Sequence, residues 1–206
     1  MAHIPDGVLS TPVLIVGGLL TAAALAFAVR RLDAARIPQA AVLAAAFFVA
    51  SLITVPLGPS SVHLLLNGLM GLVLGWAAVP AIFVGLLLQA VFFGFGGLLV
   101  LGVNTFNVAL PALVCGVLLG RRLRQPRVAR PFVLGAVAGG LGVLMTGALI
   151  CLSLALSSAD FVSAARVIAI TYVPLAVVEA AVTGFCVAFL LRVSPDLLVG
   201  RELAHA

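Results

Sequence analysis

Arg121-Arg122-Leu123-Arg124-Gln125-Pro126-Arg127-Val128-Ala129-Arg130 is the stretch that orders this chain. It places five arginines in ten residues, between the long apolar runs 104–121 and 131–157. The sequence around it is 64% hydrophobic and only 8% charged, with a mean hydropathy of +1.35. A soluble domain carries about a quarter charged residues. This chain cannot cover a water-facing surface, so an integral membrane protein is expected. Its 206 residues suit one polytopic transmembrane domain.

An α-helical span needs about 20 mostly apolar residues. Seven runs meet or approach that length: 12–30, 39–57, 63–79, 80–101, 104–121, 131–157 and 165–192. The boundary near Pro80 is soft, and 95–103 can equally be read as loop. All eleven basic residues are arginine. Arg30, Arg31 and Arg36 fall between the first two runs, the five of 121–130 between the fifth and sixth, and Arg192 and Arg201 after the seventh. With seven spans and an outside N-terminus these ten share the cytoplasmic side, and only Arg166 falls outside. Shifting the count by one span splits the clusters.

The expectation is therefore an all-α bundle of about seven transmembrane helices, N-terminus outside and C-terminus cytoplasmic. It divides into an N-terminal segment 1–11, a helical bundle 12–192 and a cytoplasmic tail 193–206. Topology also accounts for the net charge of +5 and the pI near 10.5, so nucleic acid is not an expected partner. The segment before the first run has no basic residue and contains Asp6, which argues against a signal peptide. Cys115, Cys151 and Cys186 stand singly in apolar runs without CxxC spacing and read as buried apolar residues. Gly71-x-x-x-Gly75, Gly135-x-x-x-Gly139 and Ala24-x-x-x-Ala28 allow close helix approach. No internal repeat is evident.

The chemistry-bearing residues are few. His3 lies beside the amino terminus. Its Nδ1 and its backbone nitrogen can chelate one ion, and the amine of the preceding residue closes a second ring. Planar nitrogen coordination suits Ni(II) and Cu(II). Removal of Met1 leaves Ala2-His3, with amine, amide, imidazole and one open position; retention of Met1 lets the terminus fill the plane alone. His63, at the outer end of the third run, can fill the open position. Asn67, one helical turn on, and Asn104, Asn107 and Asp6 are candidates to hold the ligands in place. Helix capping and interhelical hydrogen bonding are equally good readings of these asparagines. Glu179, deep in the seventh run, and Gln89 are the intramembrane polar residues, read as packing glue. His205 lies in the tail. The chain has no lysine, hence no nucleotide-binding loop, and no catalytic constellation.

His3-Ile4-Pro5-Asp6-Gly7-Val8-Leu9-Ser10 resembles the start of the substrate-binding components of energy-coupling factor transporters for nickel and cobalt, the NikM/CbiM family. So do Ser61-Val62-His63-Leu64-Leu65-Leu66-Asn67-Gly68, then Gly96-Gly97 with Leu101-Gly102-Val103-Asn104, and Pro174 to Glu179 with Thr183. The likeness continues to Ser194-Pro195-Asp196-Leu197-Leu198. The resemblance implies a metal ligated by the Ala2 nitrogen, both nitrogens of His3, and His63. The inserted Ala2 departs from the family's usual Met-His start. The resemblance also implies a transmembrane coupling subunit, two cytoplasmic ATPases, often a small accessory membrane subunit, and a multi-pass location in a prokaryotic inner membrane. Nickel or cobalt is then cargo, with no organic cofactor and no enzymatic activity in this chain. Two readings of other classes stand beside this one: a metal-independent accessory membrane subunit, and a proton-coupled carrier using Glu179.

Overall fold

In a bilayer every backbone N–H and C=O must find a partner inside the protein, so apolar runs of this kind become helices. The computed structural model describes residues 3–57, 60–123 and 130–199. The helices are α1 (Thr11–Arg30), α2 (Ile37–Ala50), α3 (Asn67–Leu74), α4 (Ala78–Phe93), α5 (Leu101–Leu123), α6 (Pro131–Ser157), α7 (Val162–Val193) and the short α8 (Asp196–Val199). Proline opens α1, α2 and α6, where its missing N–H costs nothing. Large apolar side chains cover the outside; Leu19, Val42, Phe92 and Phe185 are each about two-thirds exposed, as lipid contact requires.

Five apolar stretches are long enough to cross a membrane: Thr11–Arg30, Asn67–Phe93, Leu101–Leu123, Pro131–Ser157 and Ala159–Val193. Ala34–Ala50 is a shorter apolar helix beside them. Asn67–Phe93 is not one rod. Gly75 has φ +57° and ψ −123°, which ends α3, and a turn of tighter helix, Gly75–Ala77, leads into α4. His63, four residues before α3, touches His3, and Gly96 just after α4 accepts a hydrogen bond from Asp6. Both outer ends of the pair thus lie beside the N-terminal segment, so the chain reverses at Gly75. Arg36, just ahead of α2, donates to the Val73 carbonyl at 3.1 Å and marks the opposite end.

Three expected boundaries move. The run 39–57 stops being helical at Ala50, and 63–79 becomes helical only at Asn67. Between them β1 (Thr54–Leu57) and β2 (Ser60–His63) form an antiparallel hairpin, with Thr54 opposite His63. Its cause is local. Ser51-Leu52-Ile53-Thr54-Val55-Pro56 combines a serine whose hydroxyl bonds back to the Phe48 carbonyl, three β-branched residues and a proline. The run 80–101 ends at Phe93, and 94–100 is loop.

α3 is the axis of the bundle. All eight of its residues are buried. A methyl group on Gly68 would overlap the backbone of Ala138, and one on Gly71 the backbone of Ala112, so glycine lets α6 and α5 press directly on α3. Gly135 and Gly139 do the same between α6 and α7, against Thr183 and Glu179. One apolar cluster gathers α2–α5 around α3. A second, with Ile4, Leu65, Val100, Ile150 and Tyr172, carries the N-terminal segment.

Candidate metal site

The N-terminal segment is fastened by side chains of α5 and the loop before it. Asn104 Nδ2 donates to the Ile4 carbonyl at 3.0 Å, and the Ile4 N–H donates to Asn104 Oδ1 at 3.2 Å. The asparagine amide thus pairs with Ile4 as a neighbouring strand would. Asp6 Oδ1 accepts the Val100 N–H at 3.0 Å, placing a carboxylate at the N-terminus of α5. The Asp6 N–H donates to the Gly96 carbonyl. Gly96 and Gly97 make room: a Cβ on Gly96 would stand 3.4 Å from the His3 Cβ, and one on Gly97 would collide with the Asp6 carboxyl. Leucine-sized residues in this loop would push the terminus away.

His63 is held differently. It ends β2, and the chain then turns through Leu64, Leu65 and Leu66 into α3. Leu66 adopts a left-handed conformation, φ +49°. The backbone N–H groups of Leu65 and Leu66 both donate to the Glu179 carboxylate of α7, Leu66 at 3.0 Å. Glu179 is fully buried. The packing role expected of it is therefore specific: it holds the turn that aims His63.

These two anchorages bring the histidines together. His3 Nε2 and His63 Nε2 are 3.1 Å apart, and both residues are buried. His63 Nδ1 lies 3.0 Å from the Leu64 carbonyl, which can only accept, so Nδ1 carries the proton and Nε2 keeps its lone pair. His3 Nε2 must then donate to it, which leaves the His3 lone pair on Nδ1. That Nδ1 is buried and has no hydrogen-bond partner. Burial, followed by the neighbouring His63, pushes the His3 imidazole down to about 3, with Gln89 acting in the opposite sense. Burial lowers His63 as well. Both rings are thus neutral near pH 7, the form in which imidazole binds a metal.

Among the described residues no three His, Cys, Asp or Glu side chains converge. An ion between these imidazoles must complete its coordination with groups other than these side chains. Ala2 and His205 lie outside the described residues. Asn67 and Asn107 make their bonds elsewhere. Asn67 Nδ2 donates to the carbonyls of Val108 and Gly142 and to Thr146 Oγ1, tying α3 to α5 and α6. Asn107 pairs with Ser153. Gln89, expected as packing glue, has both amide atoms buried without a hydrogen-bond partner, and its side chain lies beside His3. Its place one turn before the Gly94–Gly97 loop was the available signal. A cavity lined by Ile4, Pro5, Ile150, Leu154, Phe161 and Tyr172 reaches His3 from the α6–α7 side.

A bundle of apolar helices carrying a buried pair of neutral imidazoles at one end describes a multi-pass membrane protein equipped to handle a transition metal. Solved proteins share this architecture. A transition metal transporter, solved in truncated form, superposes with a TM-score of 0.78 at 27% identity, covering 92% of this chain and 98% of that one. A Haemophilus influenzae protein named for metal transport is 40% identical over 97% of this chain and 98% of its own length. The fused nickel transport protein NikMN of Rhodobacter capsulatus is 32% identical over 99% of this chain, which spans 66% of that longer protein. Residues 3–197 match the CbiM family, described as the cobalt uptake substrate-specific transmembrane region. The chain belongs to that family of nickel and cobalt transport proteins.

Proposed function

We propose that this chain is the capture subunit of an ATP-driven nickel importer in a prokaryotic inner membrane, with its histidine end facing outward. Ni(II) is bound by the Ala2 amine of a terminus that has lost Met1, the backbone nitrogen and Nδ1 of His3, and Nε2 of His63. The observation that carries this reading is the buried imidazole pair: His3 Nδ1 has a lone pair with no partner, and the His63 Nε2 lone pair, set by the Leu64 carbonyl, meets only the other histidine. A lone pair buried with nothing to accept costs free energy unless a ligand takes it up. Planar nitrogen ligation favours Ni(II) over the softer or more highly coordinated alternatives. Cobalt is the second reading, favoured by the description of the matching family.

The energy comes from elsewhere, because the chain contains no lysine for a nucleotide-binding loop. A transmembrane coupling subunit, two cytoplasmic ATPases and a small accessory membrane subunit complete the transporter. The greater length of the fused relative supports a further subunit. Asn104 and Asp6 hold the terminal segment over the site, and Glu179 holds His63 beneath it.

The test is metal analysis of the purified protein, native and His63→Ala, with its N-terminal residue determined on the same sample. The native protein should retain about one Ni(II) per chain and begin at Ala2, and His63→Ala should lose the ion. Unchanged binding by His63→Ala would return the chain to the class of accessory membrane subunits. Uptake by cells lacking the partner ATPases would favour a proton-coupled carrier instead.

A further inference from the structure

Gln89 is fully buried, and both the oxygen and the nitrogen of its amide lack hydrogen-bond partners. A buried amide with neither atom satisfied is uncommon, because each unmade bond leaves a desolvated group uncompensated. Its surroundings say what it waits for. α4 ends at Phe93, and the Gly94–Gly97 loop that follows packs Gly96 against the His3 Cβ. The Gln89 side chain is close enough to His3 to favour a proton on its ring, though it makes no aligned hydrogen bond.

The proton on the His3 ring decides the matter. In the empty site His3 Nε2–H donates to the lone pair of His63 Nε2, at 3.1 Å. That is the lone pair the proposed function gives to the metal. Once an ion claims it, His3 Nε2–H has lost its acceptor inside a buried site. An imidazole that ligates through one nitrogen almost always donates its other N–H to an oxygen, which fixes the ring and raises its basicity.

We infer that Gln89 is a positioning residue for the captured ion: its amide oxygen takes over the His3 Nε2–H when the metal takes the His63 Nε2 lone pair. The inference rests on the proposed ligand set. Besides the imidazole–imidazole hydrogen bond, binding breaks the N–H bond of the His3 amide, whose proton passes to solvent as the ion takes that nitrogen, while the Nε2 proton stays on the His3 ring throughout. The glutamine is therefore unsatisfied in the empty protein and satisfied in the loaded one, so part of the cost of preforming the site is recovered on binding.

The experiment titrates the purified full chain in detergent with Ni(II), following affinity and the visible absorption of the complex, for native, Gln89→Leu, Gln89→Glu and His63→Ala. Gln89→Leu should weaken binding by about 10- to 100-fold. It should leave the melting temperature of the metal-free protein unchanged or raised, because the lost amide has no partner there. Gln89→Glu supplies a stronger acceptor, so it should restore affinity and move the absorption band to higher energy as His3 becomes a stronger donor. Native affinity in Gln89→Leu, with binding lost in His63→Ala, would overturn the role of Gln89 and leave the ligand set standing. Full binding by His63→Ala would instead overturn the ligand set. Equal losses of affinity and of metal-free melting temperature in both Gln89 variants would make the residue structural and overturn the inference.

Discussion

The two histidine-bearing segments meet at 3.1 Å but are secured by opposite means. His3 belongs to a terminal segment attached through neutral or partly exposed groups, the Asn104 amide and the Asp6 carboxylate, both acting on backbone atoms near the chain end. His63 sits between a hairpin and the buried α3, and its turn is held by a fully buried carboxylate on α7. Release of the terminal segment takes Ile4 and Leu9 out of the apolar cluster but breaks no helix–helix contact. The His63 turn is harder to release, because freeing Leu65 and Leu66 strands two buried N–H groups and a buried carboxylate. One side of the site is a latch and the other a fixed post.

The sharpest way to break this comparison is at the post. Glu179→Leu should strand both N–H groups at roughly 1–3 kcal/mol each, and lower the melting temperature of the detergent-solubilised protein by many degrees. Glu179→Gln keeps an accepting oxygen and should fall between it and native. A Leu variant that melts like native would show that the post is not fixed by α7. The latch gives the contrasting result: Asn104→Leu should weaken Ni(II) binding at least tenfold while the melting temperature moves little. Hydrogen exchange should then rise in residues 3–9 alone.

Acidity also separates the two. Because the docked His3 is held down to about 3 against 6.5 when exposed, the undocked segment binds more protons between those values. Docking is therefore fully present above pH 6.5 and is lost as pH falls toward 3. Exchange at residues 3–9 of the metal-free protein should rise over that window; exchange that is flat from pH 7 to 4 would contradict it. The smallest effect is expected from Asp6→Asn, which removes a charge worth about 0.3–1 kcal/mol at the α5 N-terminus and should cost about two- to fivefold in affinity.

Much of this was legible in the sequence. Apolar runs bounded by arginine clusters marked the long helices, and the proximity of His3 to His63 followed from placing both at one end. The hairpin was not legible as such, because 51–57 is apolar enough to pass as the end of a span. Its β-branched residues and Pro56 act only once no neighbouring helix compensates them. The reversal at Gly75 hid behind its own motif, since Gly71 and Gly75 look alike in a glycine spacing yet one packs against Ala112 and the other turns the chain. Asn67 follows the interhelical hydrogen-bonding reading, and the surroundings of Gln89 are set by a reversal no linear spacing encodes. Asn67 follows His63 by four residues, but its amide is consumed by α5 and α6, whereas α4 runs back toward the N-terminal segment and brings Gln89 beside His3.

The eight-residue α3 has a consequence for traffic. Flanked backbone-to-backbone by α5 and α6 through Gly68 and Gly71, it stoppers the middle of the bundle directly beneath His63. Under the proposed function the chain would work as a cup rather than a pipe: cargo would leave by the mouth it entered, and delivery to the far side would require the cup itself to be moved.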